Sequence, residues 1–147
     1  MSKKTLRKGD KGFEVKQLQN LLVLLGFNAG TADGIFGVQT EKAVKEFQKM
    51  NKLTVDGIVG RNTWSALDAN RLPVVRSGSK GNTVSYLQTI LNDLKYNCGA
   101  VDGIFGQGTY KAVVNFQKAT DLTVDGVVGK NTWLKLFSAE PKKNINS

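Results

Sequence analysis

The chain has 147 residues, 40% of them hydrophobic and 22% charged, a globular composition long enough for one ordinary domain or two very small ones. It has no histidine and one cysteine, Cys98, which excludes Ser-His-Asp and Cys-His catalysis, histidine-containing zinc sites and any intrachain disulfide. Its formal charge of +9 is spread evenly, +5 over residues 1–72 and +4 over 73–147, and favours anionic partners without a separate basic arm.

The opening stretch, MSKKTLRKGD, has no apolar run after its lysines and does not read as a signal peptide. No stretch approaches the roughly 20 apolar residues of a membrane helix, so no membrane partner is expected. Residues 14–25, EVKQLQNLLVLL, place Val15, Leu18, Leu22 and Leu25 at helical spacing, and Leu21 widens the face. Residues 38–50 place Ala43, Val44, Phe47 and Met50 on one side of a second helix. Residues 61–67 form a short third helix carrying Trp64 and Leu67.

The pattern then repeats. Residues 7–67 align with 76–136 without a gap, and with the pair Leu6/Val75 included, 34 of 62 positions are identical. The chain is therefore a tandem duplication. The expected architecture is all-α: two tandem three-helix bundles packed together, repeat one within 1–68 and repeat two within 76–137. The connection 68–75, DANRLPVV, is too short and apolar for a free linker. A unit of about 60 residues is marginal alone, so contact between the units is expected. The polar tail AEPKKNINS is expected to fray.

Four short stretches punctuate the helices: DGIFG at 33–37, DGIVG at 56–60, DGIFG at 102–106 and DGVVG at 125–129. Each extends to Asp-Gly-x-x-Gly-x-x-Thr, ending at Thr40, Thr63, Thr109 and Thr132. The aspartate closes a turn on nearby amides, and the first glycine supplies positive φ. The apolar pair, Ile35-Phe36 in the first copy, turns inward. The second glycine precedes a helix at a close backbone approach. The threonine reaches back to the aspartate or a backbone group. A metal reading fails on donor count, because calcium needs six or more oxygens and DGIFG offers one carboxylate. There is no phosphate-binding glycine loop either. No metal and no cofactor is expected.

The assembled pattern is specific. It comprises Arg7-x-Gly9-x-x-Gly12-x-x-Val15-x-x-Leu18-Gln19, the two aspartate-glycine motifs, Ala43-Val44-x-x-Phe47-Gln48 and Thr63-Trp64-x-x-Leu67, with the same set from Arg76 to Leu136. It closely resembles the peptidoglycan-binding domain type 1 family, accessory modules of bacterial and phage wall hydrolases, and the resemblance covers residues 6–136. It implies a three-helix module that binds peptidoglycan without cleaving it. Two departures stand out. Lys95 replaces Gly26 after the first helix, which should alter the helix exit, and Cys98 replaces Ala29. Family members travel with a catalytic domain, and no such domain is recognisable here. The resemblance therefore implies a wall-targeting fragment of an endolysin or autolysin, or a separate binding subunit, with a catalytic wall hydrolase as partner. It would act outside the cell, at the wall, after phage lysis-type export or as an excised fragment.

No catalytic residue is expected. Glycosidases need paired carboxylates, and Glu14, Glu41 and Glu46 become Thr83, Tyr110 and Asn115 in the second repeat. Cys98 reads as a small buried replacement for alanine. Candidate ligand residues are those matched between repeats and expected on the surface: Arg7/Arg76, Lys11/Lys80, Asn28/Asn97, Lys42/Lys111 and Asn62/Asn131, with the aromatic pair Phe27/Tyr96. Lysine and arginine suit stem-peptide carboxylates or anionic wall polymers, and asparagine suits amides and N-acetyl groups. Phe27 and Tyr96 either stack on a sugar or pack. Arg7 and Arg76 also read as structural. Gln19, Gln48, Gln88 and Gln117 read as satisfying buried backbone groups, and Trp64 and Trp133 as core. The expected groove lies where the helix-one exit meets helix three. Two rivals remain, a basic nucleic-acid-binding module and a protein-interaction module. Glu41 and Glu46 among the helix-two lysines count against the first.

Overall fold

The computed structural model describes residues 4–139. Six helices and no strands are found among them: α1 Phe13–Leu24, α2 Val38–Met50, α3 Arg61–Ala69, α4 Asn82–Asp93, α5 Gln107–Ala119 and α6 Lys130–Ser138. The protein is all-α, as the periodicity predicts. The chain divides into two compact units, Met1–Leu72 and Pro73–Ser147. The tail expected to fray lies, from residue 140 on, outside the described residues.

In unit one, α1 packs on α2. Val15, Leu18, Leu22, Val44 and Phe47 are fully buried, with Trp64 and Leu67 of α3 closing the core. The Trp64 indole N–H donates to the Lys4 carbonyl at 2.9 Å, so the buried ring keeps its polar edge satisfied. The segment 6–12 runs alongside both aspartate-glycine loops. Leu6 and Val59 exchange amide hydrogen bonds of 3.0 and 2.8 Å, and the Gly9 and Gly12 amides donate to the Phe36 and Gly34 carbonyls. These are isolated antiparallel bridges, Leu6 to Val59 and Lys11 to Ile35. Unit two repeats the device through Val75 with Val128 and Lys80 with Ile104, and Trp133 donates to the Pro73 carbonyl at 2.8 Å.

Four expectations change. Met50 is 73% exposed: helical spacing continues past Phe47, but the surface it would cover does not. Ile35 and Ile104 point outward, half exposed, while Phe36 and Phe105 are buried. The bridged loop is extended there, so neighbouring side chains alternate and only one of the pair turns inward. Lys95 leaves the helix exit unaltered. It takes the left-handed conformation of Gly26, φ 72° against 96°, and the exits share their bonds, Phe27 to Leu22 and Tyr96 to Leu91, both 2.8 Å. Finally, the second glycine of each motif is not at a close approach. Gly37, Gly60, Gly106 and Gly129 are extended N-caps, and a Cβ at any of them would meet nothing within 4 Å.

Candidate functional site

Each aspartate-glycine loop is clasped by a buried helical glutamine. Gln48 Nε2 lies 3.0 Å from Asp56 Oδ1, 3.0 Å from the Ile58 carbonyl and 3.1 Å from Thr63 Oγ1. Gln48 Oε1 accepts the Asp56 and Gly57 amides at 3.2 and 3.0 Å. Two N–H bonds thus serve three acceptors, so one is shared. Gln88 and Gln117 hold their loops in the same way, and Gln19 differs only in that the Asp33 amide donates to the Thr31 carbonyl instead. The glutamines satisfy buried backbone groups, as the sequence predicts. The threonine hydroxyls meet the glutamine, not the aspartate.

The aspartates serve the turn. Asp33 Oδ1 accepts the Ile35 amide at 2.9 Å. That amide first, and then Gln19, hold the Asp33 carboxyl below its ordinary range, because hydrogen bonds to the charged form favour it. The same pattern lowers Asp56, Asp102 and Asp125. The first glycine cannot be replaced cheaply. Gly57 has φ 74°, and a Cβ there would lie 3.0 Å from Glu41 Cγ.

The clasped loops wall a groove in each unit. In unit one, a concavity of about 380 Å³ lies between the α2 exit and the start of α3, lined by Leu53, Thr54, Asp56, Ile58, Gly60, Arg61, Asn62 and Thr63. In unit two, a concavity of about 490 Å³ is lined by the eight aligned residues, Leu122 to Thr132, and by Asp121. Arg7 stands beside the first groove and Arg76 beside the second. Each adds its charge to the forces lowering the pKa of the groove aspartate, Asp56 and Asp125 respectively.

The structure therefore places Asn62 in a groove with Asp56, whose carboxylate feels the charge of Arg7, and Asn131 in a groove with Asp125, whose carboxylate feels that of Arg76. It places the other candidates elsewhere. Asn28 Oδ1 accepts the Gly30 amide at 3.1 Å and the Asn28 carbonyl accepts Gln39 Nε2 at 2.7 Å, while Asn97 Oδ1 accepts the Gly99 amide at 2.9 Å. Both asparagines shape the loop after the first helix of their unit, and neither lines the concavities. The groove wall opposite the third helix is the exit of the second helix, not of the first. Phe27 and Tyr96 pack edge-on against Phe47 and Phe116, with centroids 5.4 and 5.3 Å apart, and keep part of each ring exposed. Lys11 and Lys80 are the bridge partners of Ile35 and Ile104. Lys42 and Lys111 are exposed on α2 and α5. Cys98 is buried, and burial pushes its thiol pKa up, which keeps it in the unreactive thiol form.

Sequence reasoning passes over the groove-lining pair Thr54/Thr123. The run Leu-Thr-Val-Asp-Gly is identical at 53–57 and 122–126, and its threonine, valine and aspartate are exposed. Identity between repeats at exposed positions was the signal, and it extends to this run.

Comparison with known proteins agrees with this duplicated architecture. A model of the peptidoglycan binding domain family matches residues 11–67 and again 80–136. The chain is 32% identical to N-acetylmuramoyl-L-alanine amidase CwlM of Mycobacterium tuberculosis, over 90% of this chain and 37% of that protein. It is 34% identical to a probable N-acetylmuramoyl-L-alanine amidase of Bacillus licheniformis, over 90% of this chain and 44% of that protein. It thus spans less than half the length of these relatives. Among solved structures, the SleB N-terminal domain is 42% identical, with 44% of this chain and 88% of that one covered and a TM-score of 0.43. A Burkholderia AP3 phage endolysin is 34% identical, with 76% and 37% covered and a TM-score of 0.44. With both sets of clasped loops inside the matched segments, the chain belongs to the peptidoglycan-binding domain family and carries two of its domains in tandem.

Proposed function

We propose that this chain anchors a wall hydrolase to peptidoglycan and performs no cleavage itself, through one groove in each repeat, 1–68 and 76–137. The observation that carries this reading is the duplicated groove. Leu53, Thr54, Asp56, Gly60, Asn62 and Thr63 recur unchanged at the aligned positions of unit two and line the concavity there. Asn62 and Asn131 offer both a donor and an acceptor to peptide amides or N-acetyl groups. Arg7 and Arg76 supply a cation to stem-peptide carboxylates. Lys11, Lys42, Lys80 and Lys111 add to the positive field that draws anionic wall polymers, while Phe27, Asn28, Tyr96 and Asn97 set the shape of the loop after the first helix of each unit. Two weak sites on one repetitive polymer reinforce each other, because the first contact raises the effective concentration for the second.

The absence of cleavage is supported by what the carboxylates do. The four motif aspartates hold turns, and Glu41 lies 3.9 Å from Lys45 in an ion pair along α2. Among the described residues no helix is long and apolar enough to cross a membrane. The proposed place of action is the cell wall, with a catalytic wall hydrolase as the partner.

The test is co-sedimentation with purified sacculi before and after removal of anionic polymers, at low and high salt, with release of soluble fragments assayed in the same tubes. Retention that survives polymer removal without fragment release is the expected result. Fragment release would make the chain a hydrolase. Loss of retention on polymer removal would move the ligand to those polymers. No retention, with salt-sensitive binding to DNA instead, would bring the nucleic-acid reading forward.

A further inference from the structure

The two grooves share their floor and differ at their rims. Lys52 and Asp121 occupy the same position after the second helix of each unit, with the same left-handed backbone, φ 58° and 59°. Asp121 lines its groove, and Lys52 directly precedes the lining residue Leu53. Around groove one stand Lys52, Arg61 and Arg7 against Asp56. Around groove two stand Lys130 and Arg76 against Asp121 and Asp125. Groove one therefore carries a surplus of two positive charges, and groove two carries none. Behind the loop the units also differ, with no difference in net charge. Gly57 is covered by Glu41 and Lys45, whereas Gly126 is covered by the Tyr110 ring.

Resting on the wall-binding reading above, we propose that the grooves select ligands by charge: groove one takes a carboxylate-bearing ligand that groove two disfavours, with Lys52 and Asp121 as the determinants. A carboxylate entering groove one meets three cations against Asp56, and one entering groove two meets two cations against Asp121 and Asp125. A neutral, amidated ligand meets the same Thr-Asp-Gly-Asn floor in both. A tandem pair built this way would hold a polymer whose stem peptides carry a mixture of free and amidated carboxyl groups, each repeat taking its own form.

The test is a site-resolved titration of the whole 147-residue chain by nuclear magnetic resonance at low ionic strength. The probes are N-acetyl-L-alanyl-D-glutamic acid and its diamide, followed at the amides of residues 60–62 and 129–131. The diacid is expected to bind groove one roughly five-fold more tightly than groove two, the scale of reversing one charge at about 8 Å in water. The diamide is expected to show no such preference. Lys52→Asp should erase the preference, and Asp121→Lys should raise groove two to the level of groove one. Asp121→Asn keeps a residue tolerant of the left-handed backbone and should give part of that gain, which separates charge from any folding effect. Equal diacid affinities in the unaltered chain, a preference that survives Lys52→Asp, or no response at either groove would overturn the proposal. Retention on sacculi, measured in parallel, separates the two readings. Retention without charge discrimination leaves the wall anchor standing and removes this inference, whereas charge discrimination without retention does the reverse.

Discussion

Gln48 and Asp56 bind each other in both directions. The glutamine amide nitrogen donates to the aspartate side chain at 3.0 Å, and its oxygen accepts the aspartate's own backbone amide at 3.2 Å. One side chain from α2 thereby fixes the carboxylate, the turn it closes and, through Thr63 Oγ1, the first turn of α3. The groove lies between the elements this clasp joins. Its shape is set by buried polar contacts as much as by the apolar core.

Truncating the clasp leaves several buried groups without partners, each costing about 1–3 kcal/mol. Gln48→Ala should destabilise unit one by roughly 3 kcal/mol in urea unfolding, with Gln117→Ala acting likewise on unit two. Gln48→Glu conserves the shape but turns the donor into a carboxylate facing Asp56, and at neutral pH it should cost at least as much. A near-neutral Gln48→Ala would mean that water replaces the clasp without loss.

Acid should loosen all four turns together. The folded pKa values of Asp33, Asp56, Asp102 and Asp125 lie below the ordinary 3.8, chiefly because the amides of Ile35, Ile58, Ile104 and Val127 favour the charged form. A depressed folded pKa contributes stability that is complete above the unfolded value and is lost as pH falls through the folded one. Melting temperature should therefore be flat on this account down to about pH 5 and fall steadily below pH 4. Asp56→Asn retains the acceptor oxygen and removes the titration, so it should flatten the acid slope of unit one. An unchanged slope would remove Asp56 from the acid response.

Helices, duplication and family were legible because each rests on a pattern that spans many residues. The range 38–50 is α2 to the residue, and α1 and α3 differ from their expected bounds by one or two positions. What failed was local. Met50 continues the helical spacing of Phe47, and only its counterpart Ala119, also exposed, hinted that the core ends before it. Ile35 and Phe36 are equally apolar, and their opposite fates follow from a backbone bridge to Lys11 that leaves no mark in composition. The groove is less legible than the helices, because its place depends on the Leu6 to Val59 bonds that set the second aspartate-glycine loop beside Arg7, a pairing between distant residues that no local spacing encodes.

Lys95 offers a clean stability test. It adopts φ 72°, a conformation that costs a side-chain-bearing residue about 1–2 kcal/mol and glycine nothing. Part of that gain is returned through the greater unfolded-state freedom of glycine. Lys95→Gly should stabilise unit two by about 0.5–1 kcal/mol, and Gly26→Ala should destabilise unit one by a similar amount. The helix-exit bonds are the same in both units, so the difference isolates backbone strain. A destabilised Lys95→Gly would show that the lysine side chain makes a compensating contact.

Gly60 and Gly129 separate folding from binding. Both are N-caps with extended backbone, φ −101° and −106°, a conformation open to any residue. Both line the grooves, and a Cβ at either would meet no atom within 4 Å. A larger side chain there fills open space at the groove floor rather than straining the fold. Gly60→Val and Gly129→Val should each cost about 1 kcal/mol as apolar N-caps and remain folded at the assay temperature. The double substitution should lower retention on sacculi by at least ten-fold, because both contacts of the polymer are lost together. Gly37→Val is the control: it places the same change on the equivalent cap of α2, φ −105°, outside either groove, and should leave retention intact. Full retention by the Gly60→Val, Gly129→Val double variant would show that the wall is held by another face, and the exposed lysines of α2 and α5 would be the next to substitute.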